Sequence, residues 1–159
     1  MLKILLCSLS VLLATLSHAQ SSIRDDLVGD WLCEAKMQNI HAKNIIRYHQ
    51  DGWAHELIEY IDKSLPPYQS FLNITSITYD WHVQDDKLYM TNQKINEDYT
   101  YHFIGDSLVK LSDQATADIK AEVEQLMEVN NQHSVEFDGK DRHRYIFEDG
   151  FFGECRRLT

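Results

Sequence analysis

The chain has 159 residues, 43% of them hydrophobic and 25% charged, with 15 basic against 25 acidic residues and a formal net charge of −10. This length suits one domain that can bury a real core. The acidic balance disfavours nucleic acid and anionic membrane surfaces as partners and is compatible with a basic protein partner.

Lys3, the apolar run Ile4 to Leu16 and the small-residue site Ser17-His18-Ala19 follow the order of an export signal. The run is shorter than the roughly 20 residues that span a bilayer, so no membrane anchor is expected. Residues 1–19 are therefore expected to be a signal peptide and residues 20–159 a single domain, periplasmic or secreted. Cys7 leaves with the leader, while Cys33 and Cys155 remain. One bridge between these two is the expectation for an exported chain, with free thiols or half of a metal site as alternatives.

Beyond the leader, short segments rich in Val, Ile, Tyr, Phe, Trp and Thr alternate with Asp-Gly, Gly-Asp and Asp-Asp breaks, the spacing of an antiparallel meander. Gly29 to Met37 alternates Trp31, Cys33, Ala35 and Met37 against Asp30, Leu32, Glu34 and Lys36, with the tryptophan face expected inward. Asn44 to Gln50 and Trp53 to Ile61 form a hairpin about Asp51-Gly52. Ser64 to Tyr68 contains Pro66 and Pro67 and is expected to be a loop at a barrel mouth. Phe71 to Val83 is long enough for a bent strand and turns through Gln84-Asp85-Asp86 into Lys87 to Gln93. Glu97 to Ile104 sets Tyr99, Tyr101 and Phe103 on one face and Asp98, Thr100 and His102 on the other; Gly105-Asp106 then leads into Ser107 to Leu111.

The period then changes from two to about 3.6 residues, since Ile119, Val123, Leu126 and Met127 form one apolar stripe. A helix is expected there, capped by Ser112 or Asp113 and ended by Asn130-Asn131. Ser134 to Phe137, Arg142 to Glu148 and Phe151 to Leu158 are the remaining strands, the last two joined at Asp149-Gly150. The fold class is thus all-β, an antiparallel up-and-down barrel of about 8–10 strands with one amphipathic helix before the last hairpin.

The two ends of the chain support closure. If Cys33 faces Cys155 on adjacent antiparallel strands, Trp31 falls opposite Arg157, so one register yields a disulfide and a Trp-Arg contact. A slip of one residue would bring Arg156 there instead. Gly29-Asp30-Trp31 has the Gly-x-Trp form that opens the first strand of lipocalins and other calycins, and Arg157 is placed like their late arginine. In these residues the chain resembles a bacterial exported lipocalin-like domain. It departs from the family in placing its helix before the final hairpin and in lacking a Thr-Asp-Tyr-like second motif. The resemblance implies that arginine and indole close the barrel bottom, with Trp31, Arg157, Cys33 and Cys155 as structural residues.

A barrel of about eight strands can hold one small ligand. The leading expectation is non-catalytic binding of a small apolar or amphipathic molecule, with Tyr48, Trp53, Tyr60, Trp81, Tyr99, Tyr101 and Phe103 as inward aromatic candidates. These rings would equally serve as core filling. The rival function is inhibition of a protease or lysozyme through loops on a filled barrel. No cofactor, metal or enzyme activity is expected. His41, His49, His55, His82, His102, His133 and His143 are expected at the surface; His49 and His55 flank a turn and can face each other, but two ligands do not make a zinc site. His55-Glu56 only begins a zincin-like pattern, since position 59 is Glu. No nucleophile elbow, phosphate loop or Cys-x-x-Cys occurs. Asn73-Ile74-Thr75 matches the N-glycosylation pattern, which has meaning only in a eukaryotic secretory pathway.

Overall fold

The structure, a computed structural model, describes residues 23–37, 39–63, 70–104, 107–129 and 131–159. The expected signal peptide, the Pro66-Pro67 loop, the Gly105-Asp106 turn and Asn130 lie outside them. A short helix α1 (residues 23–27) leads into β1 (Gly29–Met37), β2 (Ile40–Tyr48), β3 (Trp53–Asp62), β4 (Phe71–Gln84), β5 (Lys87–Ile104) and β6 (Ser107–Lys110). Helix α2 (Asp113–Val129) follows, then β7 (Gln132–Phe137), β8 (Arg142–Ile146) and β9 (Phe152–Arg157).

Eight of these strands close into an antiparallel barrel in the cyclic order β1-β2-β3-β4-β5-β7-β8-β9, and β6 is an extension paired only to the far end of β5. Closure leaves no free edge around the ring, which satisfies backbone groups that an open sheet would present to other chains. The first and last strands pair in the expected register, with Trp31 opposite Arg157 and Cys33 opposite Cys155. The two cysteines form a disulfide across 122 residues. Both sulfurs lie on the inner face of the barrel, buried with Ala35 and Val135 in one apolar core.

The lower end of the barrel is sealed around Trp31, which is fully buried. Its indole Nε1 donates to the Leu27 carbonyl at 2.7 Å, and Leu27, also fully buried, plugs the opening from α1. The Arg157 guanidinium lies 4.3 Å from the centre of the indole ring and donates to the Val28 and Asp26 carbonyls at 2.7 and 2.5 Å. Arginine thus closes the bottom of the barrel and ties the helix in front of β1 to the end of β9. Gly29 makes room for it: φ is +127°, and a Cβ there would stand 2.6 Å from Arg157 Nη1. The glycine of the Gly-x-Trp triplet is required by this close approach as well as by its backbone angle.

Two elements differ from the sequence-based expectation. Residues 23–27 are helical, an element not expected from the sequence. The expected strands at Lys87 to Gln93 and Glu97 to Ile104 are one strand of 18 residues, because irregularities opposite Thr78 and Ser76 absorb the polar break without ending the ladder. Asn92 adopts a positive φ of 52° there, and its Nδ2 donates to Asp80 Oδ2 at 2.6 Å. The Asp85-Asp86 turn has φ of 51° and 60°, the paired positive angles of a tight two-residue hairpin.

Helix α2 begins as expected, with the Ser112 Oγ accepting from the Ala115 amide at 3.3 Å. It lies against β5, and Gln93 Nε2 donates to the Met127 carbonyl at 2.8 Å. It covers a stretch where the barrel wall is thin, since β5 pairs with β7 over only Lys87 to Tyr89. No described helix is long and apolar enough to cross a membrane.

Replacing Gly29 by Ala is expected to destabilise the protein in urea unfolding by about 1–3 kcal/mol, because strain and displacement of Arg157 add. Gly139 has a positive φ of 80° but nothing within 4 Å of a new Cβ, so Gly139→Ala should cost only about 1 kcal/mol. Equal losses at the two sites would show that the guanidinium seat is not what constrains Gly29.

Candidate ligand cavity inside the barrel

Inward residues alternate along each strand, and above the Trp31 floor they leave a cavity of about 250 Å³. Its wall is mostly apolar: Ile46, Ile58 and Ile77 from the strands, Phe147 and Phe151 from the last hairpin, Val123 and Met127 from α2. The two α2 residues belong to the apolar stripe seen in the sequence, so the helix completes the cavity wall.

One carboxyl stands in this setting. Glu56 lies on the face of β3 that also carries Ala54, Ile58 and Tyr60, and only 6% of it is exposed. Its Oε1 accepts from Asn44 Nδ2 at 2.6 Å and its Oε2 from the Tyr79 hydroxyl at 3.1 Å. Tyr48, also buried, lines the cavity with Tyr79. Burial raises the Glu56 pKa to about 7, although the hydrogen bonds from Tyr79 and Asn44 pull it down. The same burial pushes Tyr48, Tyr79 and Tyr145 above the ordinary phenol range, and the Glu56 charge adds to it. All three phenols are therefore neutral hydrogen-bonding groups at physiological pH.

His133 also lines the cavity, and His143 lies deeper, 4.4 Å from the Trp31 ring in an edge-to-face contact. Burial lowers their pKa values to about 4 and about 3, the latter also through His133 and Arg157. Both imidazoles are neutral near pH 7, and each has a buried Nδ1 without a partner. This corrects the expectation of a surface position for these two. His49 stacks on Trp53 at 3.7 Å and His55 meets Ser76 Oγ at 2.9 Å, so the pair flanking the Asp51-Gly52 turn does not converge. Among the described residues one possible metal-binding group brings His143 together with Cys33 and Cys155. The disulfide occupies both sulfurs, so the group has no thiolate to offer.

The aromatic candidates divide by strand phase. Tyr48 and Tyr60 line the cavity, while Trp81 is buried below it, 5.1 Å from the Tyr48 ring. Trp53 is 39% exposed and Tyr99 37%. Tyr101 and Phe103 share the outer face with Tyr99, since Thr100 between them is fully buried. Their expected inward orientation is thus corrected. Lys110 covers the Tyr99 ring and Lys63 the Phe103 ring from outside, at 5.2 and 5.5 Å. The reason lies on the inner face, where Asn73 and Thr75 of β4 bond with Asp98 and Thr100 of β5 at 2.6 to 3.0 Å. These polar groups satisfy one another only if they face the same side, which turns the aromatics out. Asn73, the residue of the glycosylation pattern, is 5% exposed and committed to this network.

Sequence reasoning missed Glu56 as a cavity residue, although its place between Ala54 and Ile58 on an otherwise apolar face was a usable signal. A groove of about 710 Å³ between α2 and β5 adjoins the cavity, and Met90, Gln93 and Met127 line both. Comparison of the sequence with protein-family models and with curated proteins finds no match.

Glu56 and the buried histidines oppose each other in pH dependence. With a folded pKa raised above 4.5, Glu56 contributes stability below pH 4.5 that is lost as pH rises to about 7. With folded pKa values below 6.5, His133 and His143 contribute stability above pH 6.5 that is lost as pH falls toward 4 and 3. Glu56→Gln removes the first effect alone. Between pH 5 and 6.5 its unfolding free energy should therefore climb more steeply than the wild type's, by about 1.4 kcal/mol per pH unit. Parallel curves in urea titrations would show that Glu56 is not held protonated.

Proposed function

We propose that this protein is a non-catalytic binder of a small apolar or amphipathic molecule, which it carries inside the barrel. The supporting observation is the cavity of about 250 Å³, walled by aliphatic and aromatic side chains around a single buried carboxyl. A mostly apolar enclosure with few polar groups is the usual form of a small-molecule site. The lipocalin-like reading draws support from the eight-strand closed barrel and from the Trp31-Arg157 closure at its lower end. Export to an oxidising compartment is supported by the Cys33–Cys155 bridge. The inhibitor alternative called for a filled interior, and the cavity favours the carrier.

Ala42 borders the cavity and is only partly buried, so Ala42→Phe adds a ring with little demand on the core. Incubation with the neutral probe N-phenyl-1-naphthylamine should give one retained adduct in native mass spectrometry and enhanced fluorescence. The Ala42→Phe protein should lose at least about tenfold in affinity by occlusion. No adduct with the wild type, or equal affinity in the filled variant, would remove the carrier reading.

A further inference from the structure

We infer that the molecule held in this cavity is a small organic cation, an ammonium group on a compact apolar or aromatic body, with Glu56 as its counter-ion. This inference rests on the carrier reading and narrows it to one ligand chemistry.

Besides its phenol hydroxyls, the cavity offers acceptor atoms around Glu56. Glu56 supplies two carboxyl oxygens, each already holding one donor and each with capacity for another. Asn44, whose amide nitrogen is committed to Glu56, has a buried Oδ1 with no partner. His133 adds a buried, unpartnered Nδ1. Among the described residues no Lys or Arg lines the cavity, so none of them neutralises the carboxylate once it ionises. An ammonium brings three donors and one positive charge, which complements both deficits.

The rest of the wall suits the remainder of such a molecule. Tyr48, Tyr60, Tyr79 and Tyr145 present ring surface near the carboxyl, and a cation among aromatic faces gains from their quadrupoles. The aliphatic residues from β2, β3 and β4 and the α2 stripe provide the apolar end. A carboxylate or phosphate ligand would meet Glu56 with like charge and no compensating cation. A purely apolar ligand would leave the Asn44 acceptor unsatisfied.

Glu56 also makes the affinity depend on pH. The titratable groups around it are Tyr48 on β2, Tyr60 on β3, Tyr79 on β4, His133 on β7 and Tyr145 on β8, all neutral near pH 7. The facing parts of β5 and α2 contribute Met90, Gln93, Val123 and Met127, none of them titratable. The carboxyl therefore gains its charge over the range in which its neighbours stay fixed, with a midpoint at about pH 7.

The test compares three probes of nearly equal size by titration calorimetry at pH 8: 2-phenylethylamine, 2-phenylethanol and 3-phenylpropanoate. The amine should bind at least about tenfold more tightly than the alcohol, and the propanoate more weakly than either. In Glu56→Gln the amine-to-alcohol ratio should fall to near one. An amine preference that survives this substitution would trace to the protein's overall acidity and overturn the role of Glu56. Should that variant fail to fold, the wild type decides alone. Its amine affinity should rise about tenfold from pH 6 to pH 8 as the carboxyl ionises, and a flat profile would overturn the inference. Equal or tighter binding of the alcohol or propanoate would remove the amine while leaving the carrier reading intact. If no phenyl probe binds, the inference falls; the carrier reading falls with it only if N-phenyl-1-naphthylamine is not retained either.

Discussion

The seam between β1 and β9 joins the two ends of the chain, and three interactions of different kind coincide there. The ladder pairs four residues from Trp31 to Glu34 with Arg157 to Glu154, a disulfide crosses it at its third rung, and a guanidinium covers its lower end. Each constrains the others. The cysteines can meet only in a register that sets Arg157 opposite Trp31, and Arg157 can reach the Val28 and Asp26 carbonyls only if Gly29 leaves space. With the seam in place, inward positions on all eight strands are set by alternation, and the interior has a defined floor. A bridge across 122 residues also restricts the unfolded chain, which favours the folded barrel by an amount on the order of several kcal/mol.

Above that floor the interior solves the burial of polar side chains in two ways. Asn73, Thr75, Asp98 and Thr100 form a hydrogen-bonded network that makes the wall between β4 and β5 polar and leaves the buried Asp98 Oδ2 without a partner. Around Glu56 the balance is left open. Two donors reach the carboxyl, no cation among the described residues lines the cavity, and Asn44 Oδ1 and His133 Nδ1 have no partner. Unmet hydrogen-bonding capacity inside an apolar cavity costs stability. The pKa of Glu56 near 7 expresses the same imbalance in the protonation of the empty site.

Much of the architecture was legible because the signals were local or came in pairs. The Asp51-Gly52 and Asp85-Asp86 turns, the apolar stripe of α2 and the Cys33, Trp31, Cys155, Arg157 coincidence each carry their own geometry. What escaped were phase and depth. β5 passes through two irregularities whose one-residue shifts cancel, so Leu88, Met90 and Thr100 all face inward, while the aromatic character of Tyr99, Tyr101 and Phe103 points the other way. The network on β4 and β5 reads as a solvent-facing side because polar residues that satisfy each other look the same in sequence as residues that satisfy water. His133 and His143 were misplaced for a similar reason, as neutral imidazoles packed among rings. Glu56 was considered beside His55 as part of a metal motif, whereas its meaning came from Ala54 and Ile58 two positions away on the same face.

The two seams that join the later strands to the rest of the barrel are unequal. One is covalently riveted; the other, between β5 and β7, holds by three rungs and a helix laid alongside. Thermal fluctuations part a structure where parting costs least. The side beside α2 is the one without a covalent tie, and there Met90, Gln93 and Met127 stand between the interior and the outer groove.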